Sequence, residues 1–93
     1  MNAIVLTNVK AYIDISEWWL KDSNGEPLSV YAVHKMIEDN YPHLSVTRHT
    51  LTRARDGQLE KFDAVNAVKL ARLCSKWAGK VLRIDDLIKV EED

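Results

Sequence analysis

Between Thr47 and Gly57 the chain places Arg48, His49, Thr52, Arg53 and Arg55 within two turns of a potential helix. Their chemistry suits the recognition of nucleobases. A guanidinium is a planar fork that matches the O6/N7 pair of guanine, and histidine and threonine can donate or accept at base edges or phosphates. At about 100° per residue the five side chains fall on one continuous arc, while Val46, Leu51 and Ala54 point elsewhere as the aliphatic anchors. Thr47 can cap the helix start, and Asp56-Gly57 supplies a stop that tolerates positive φ. Many short surface helices carry several charges, so this segment alone is equally compatible with a solvated structural face.

Flanking segments supply what such a helix would need as support. Residues 28–37 predict a helix with Ser29 as N-cap after the Pro27 break, and Val30, Val33 and Ile37, with Ala32 and Met36, form its apolar side. Pro42 cannot sit inside a helix, so this one should end near Asn40, with re-entry at Val46. Lys61-Phe62-Asp63 opens a longer helix to about Ala78, in which Val65, Val68, Leu70, Leu73, Cys74 and Trp77 are expected to close the core. Asp14-Ile15-Ser16-Glu17 has capping-box spacing and predicts a further helix to about Lys21. Its Ile15, Trp18 and Trp19 have the spacing of core residues rather than of an aromatic binding platform. Asp22 to Pro27 is a turn-rich linker inside one domain. Ala3 to Leu6 and Val9 to Ile13 are β-prone, and a strand arm pairing with a partner chain or with Val81-Leu82-Arg83 is their expected use.

The runs Ser29 to Val33, Val46 to Gly57, Leu70 to Gly79 and Ile84 to Ile88 together resemble the Cro/CI-type, lambda-repressor-like DNA-binding domain. The resemblance spans roughly residues 14–90, and the Thr-Arg-x-Thr-Leu-x-Arg-x-x-x-Gly pattern at 47–57 is its most specific part, with Leu73-Cys74 and Ile84 to Ile88 closing it. It implies a mainly α fold of five short helices forming a helix-turn-helix domain over 14–90, preceded here by a β-prone arm over 1–13. It also implies a bacterial or phage transcription regulator, or an antitoxin that represses its own operon. On this basis Arg48, His49, Thr52 and Arg53 are expected to face base edges in the major groove, with Thr47, Arg55 and Lys61 nearer to phosphates. The chain departs from the family in the turn between the paired helices, which is lengthened over 38–45, and in His34, where a small alanine is usual. Val30, next to the N-cap, stands where the family often has a polar phosphate contact; either Ser29 and Tyr31 take over that role or it is absent.

Composition agrees with one small intracellular domain. Ninety-three residues suffice for a single core, no apolar run reaches membrane-spanning length, and no secretory leader pattern is present, so a cytoplasmic protein is expected. A single cysteine, Cys74, precludes an internal disulfide and lies on the apolar face of the long helix. The net charge of −1 argues against a basic footprint over the whole molecule, but charge is unevenly placed. Residues 14–41 carry Lys21 and Lys35 against Asp14, Glu17, Asp22, Glu26, Glu38 and Asp39, whereas 45–61 carry Arg48, Arg53, Arg55 and Lys61 against Asp56 and Glu60. The positive segment is the proposed reading segment.

No catalytic constellation, metal-ligand spacing or phosphate loop is present: the histidines at 34, 43 and 49 are unpaired with Cys74, and glycines occur only at 25, 57 and 79. Asp85-Asp86 is more simply a helix N-terminal pair. No enzyme activity, metal or cofactor is therefore expected. The partners expected are double-stranded DNA and a second copy of the chain, joined through the Ile4 to Ile13 arm or the Val81 to Val90 segment. The alternative is a protein-interaction module, for example an antitoxin whose acidic face or arm binds a partner protein.

Overall fold

The computed structural model of the chain describes residues 8–92, which form four α-helices and a two-stranded antiparallel sheet. Strand β1 (Val9–Ile13) leads through a single 3-10 turn (Ser16–Trp18) and a bend at 22–27 into α1 (Val30–Asn40). A second 3-10 turn (Pro42–Leu44) connects to α2 (Arg48–Arg55), followed by α3 (Ala64–Ala78), α4 (Ile84–Leu87) and β2 (Ile88–Glu92). The five-helix expectation is thus wrong: the segment expected to form the first helix, 14–21, makes one 3-10 turn and then extends.

Tertiary hydrogen bonds and indole burial explain that failure. The expected capping box does not form: Ile15 stands at the start of the turn without a side-chain cap, and the Asp14 carboxylate makes only a local bond, accepting from the Ser16 N–H at 2.9 Å. Trp19, however, has an extended backbone, is buried, and donates its indole N–H to the Leu28 carbonyl at 2.8 Å. The Leu28 N–H in turn donates to the Leu20 carbonyl, and Lys21 forms a β-bridge with Pro27. Continuing the helix would remove these contacts and swing Trp19 out of its slot. Each buried large apolar side chain contributes about 1.5–3 kcal/mol, more than the capping of one short helix. Trp19 meets Trp77 edge to face, with centroids 6.1 Å apart.

The later helices obey their local signals. Ser29, Thr47 and Asp63 each accept a hydrogen bond from the backbone N–H three residues on, at the starts of α1, α2 and α3. Gly79 ends α3 in the left-handed conformation. Asp86 closes the start of α4 by accepting from the Arg83 N–H at 2.8 Å, the role expected of the acidic pair. Val33 and Ile37 of α1, Leu51 and Ala54 of α2, and Leu70, Leu73 and Cys74 of α3 meet in one core with Ile13, Ile15 and Leu87. Burial pushes the Cys74 thiol up to about 12, leaving it protonated and unreactive at neutral pH. Val65 and Val68 do not join that core as expected; they are 62% and 39% exposed.

The arm pairs within the chain, but not where expected. β1 lies antiparallel to β2, Val9 opposite Glu92 and Ile13 opposite Ile88, so residues 81–83 are not its partner. Opposed residues share a face, so Val9, Ala11, Val90 and Glu92 lie on one side of this ribbon and Lys10, Tyr12, Lys89 and Glu91 on the other. At its base the Ile13 N–H donates to Leu59, Asp14 to Leu87 and Ile15 to Ala54, all to carbonyls. The Ala3 to Leu6 part of the expected arm lies outside the described residues.

Candidate nucleic-acid interface

Helix α2 is fixed from beneath and exposed above. Val46 precedes the Thr47 cap and is buried, as are Leu51 and Ala54, which places the opposite side of the two-turn helix at the surface. At its C-terminal end Gly57 adopts φ +69, and a Cβ there would stand 3.0 Å from a carboxylate oxygen of Asp14. That close approach ties the helix stop to the base of the ribbon.

The five arc residues stand in different chemical states. Arg48 and His49 are exposed. The Arg48 guanidinium lies 6.0 Å from the ring centroid of Tyr31, which is itself 64% exposed near the start of α1. Among the described residues the Arg48 guanidinium makes neither an ion pair nor a hydrogen bond to protein, so its whole fork of donors is open. Arg53 is half-buried and gives one Nη2 donor to the Gln58 carbonyl at 2.7 Å. Arg55 is turned to a structural role, with Nε 2.8 Å from Asp56 and the guanidinium 5.7 Å from the Trp19 ring centroid. The Asp56 carboxylate raises the Arg55 pKa above its ordinary value.

Hydroxyl directions restrict the threonines in the same way. The Thr52 Oγ1 donates back to the Arg48 carbonyl at 2.8 Å, which leaves its oxygen free only to accept, for instance from an exocyclic amino group. Thr47 accepts from the Thr50 N–H while its own hydroxyl donates to the Thr50 Oγ1, so a phosphate contact requires that proton to turn outward. Ser29 is likewise engaged as the α1 cap, whereas Lys61 is exposed.

The structure therefore brings Tyr31 and Arg48 together on one flank of α2 and His49, Arg53 and Lys61 together on the other, and it separates Arg55 from both. The second group lines a shallow depression with Thr50, Leu59 and Glu60. Glu60 was not among the expected site residues. Its carboxylate can accept from a cytosine amino group but would repel a phosphate, and its place beside Lys61 in the chain was the available signal. The anchoring of Arg55 by Trp19 left no trace in helical periodicity.

No family model matches the chain, and neither a curated protein nor a solved structure matches it. Among the described residues no helix is long and apolar enough to cross a membrane.

Proposed function

We propose that the chain is a sequence-specific transcriptional regulator that presents α2 to the major groove of double-stranded DNA. The observation that carries this reading is the state of Arg48 and His49, exposed on the first turn of a short helix whose opposite side is anchored by Leu51 and Ala54. An unengaged arginine fork at that place suits a bidentate contact to guanine, and Thr52 and Glu60 add acceptors for amino groups. Tyr31 and Ser29 at the start of α1, with Lys61 beyond α2, are the positioning contacts to phosphate. The resemblance of residues 47–57 to the reading segment of Cro/CI-type regulators supports the same assignment. A single two-turn helix reads few bases, so the active species is a homodimer that places two α2 helices about 34 Å apart on a pseudo-palindrome.

Selection of bound sequences from random duplex DNA by the purified chain tests the proposal. Recovery of a defined motif that Arg48→Ala protein no longer enriches is the expected result. Equal binding to selected and random duplexes, or no binding at low salt, overturns it.

A further inference from the structure

One surface lies away from α2, at the edge of the core. A groove runs along the outer side of α3 and across the 81–84 segment, with Leu44, Val68, Ala71, Val81, Leu82 and Ile84 forming its floor and walls and Val65 extending it. Val65, Val68 and Val81 are 62%, 39% and 87% exposed. Its other lining residues are mainly cations, Lys69, Arg72, Lys76 and Arg83, with no carboxylate among them. None of the four forms an ion pair among the described residues, although the chain as a whole has more acidic than basic side chains. Lys69 is held by donating to the Ser45 carbonyl, and Lys76 sits over the Tyr41 ring, so part of the positive rim is fixed in place.

The same molecule carries a surface of complementary character. One face of the β1–β2 ribbon presents Val9 and Val90, 62% and 58% exposed, with Ala11 and the Glu92 carboxylate. The opposite face carries Lys10 and Lys89, and its one carboxylate, Glu91, already accepts from the Tyr12 hydroxyl at 2.7 Å, so this face does not fit a cationic groove. DNA would satisfy the charges of the rim but leave the valine floor without an apolar partner.

We propose that the groove is the seat of the ribbon of a second copy: Val9 and Val90 of each protomer cover Val65, Val68 and Val81 of the other, and Glu92 meets Arg72, Lys76 or Arg83. Two such contacts related by a two-fold axis close the assembly. No groove residue belongs to α1 or α2, so the dimer leaves the reading helix open. The inference specifies the homodimer of the proposed function but does not depend on DNA binding, which the duplex selection tests separately.

Sedimentation equilibrium of the full chain with Val68→Glu and Val90→Lys variants tests it. Both positions are exposed, and thermal unfolding checks that each variant remains folded, with Val65→Glu as a second groove variant should Val68→Glu fail to fold. Each variant alone should weaken dimerisation about tenfold or more. Mixing the Val68→Glu and Val90→Lys proteins should restore a heterodimer, because one retains an intact ribbon, the other an intact groove, and the altered pair places lysine against glutamate. A wild-type chain that stays monomeric to about 1 mM overturns the inference. So does a dimer that a folded groove variant leaves intact, or a mixture that forms no heterodimer.

Discussion

Residues 14–21 and 47–55 begin alike, each with a side-chain oxygen that accepts a nearby backbone N–H, yet only the second becomes an α-helix. In α2 the local signal and the tertiary demand coincide, since a two-turn helix buries Leu51 and Ala54 and leaves the remaining side chains outside. In 14–21 they conflict. Burying Trp19 and giving its N–H to Leu28 requires extended backbone directly after one turn, and the larger energy prevails. A cap thus marks where a helix can start, and the burial of the residues beyond it decides how far the helix runs.

The sharpest test removes that burial. Trp19→Ala should destabilise the domain by about 3–5 kcal/mol in thermal or denaturant unfolding, because it leaves a cavity beside Trp77 and Arg55. Leu51→Ala should cost about 2–5 kcal/mol for the same reason in α2. If Asp14→Ala proved more damaging than Trp19→Ala, the local bond rather than the indole would hold 14–21, and the contrast would collapse.

Arginines within α2 extend the comparison from backbone to side chain. Arg48→Ala should weaken binding to a selected DNA site by about 1–3 kcal/mol and relax preference at one base position. Arg55→Ala should leave specificity unchanged and lower stability instead, since Arg55 is committed to Asp56 and Trp19. Competition binding of each variant against random duplex separates the two, and an inverted outcome would mean that Arg55 turns outward on DNA.

A smaller effect is expected at the caps. Thr47→Ala should cost about 1 kcal/mol, by loss of the bond to the Thr50 N–H, and equilibrium unfolding in urea measures it directly. The smallest belongs to Lys61, exposed beyond the helix: Lys61→Ala should weaken DNA binding evenly across sequences and lower the salt dependence by about one counterion. A change in base preference instead would move Lys61 from the phosphates to the base edges.

Local chemistry by itself determined α1, α2 and α3. Ser29 and Thr47 cap where their residue types predict, α3 begins at Ala64 directly after the expected Lys61-Phe62-Asp63 opening, Pro42 ends α1 where a helix cannot continue, and the anchors Val46, Leu51 and Ala54 are all buried. These features act over one or two turns, within reach of neighbours in the chain. Only the tertiary structure decided that 14–21 would extend, that the arm would pair with 88–92, and that Val65 and Val68 would lie open in a groove. It also decided which arginines of one arc are free, through Gln58, Asp56 and Trp19. Periodicity gives the direction in which a side chain leaves its helix, but its availability depends on partners brought to it from elsewhere in the chain, and that information resides in the packing.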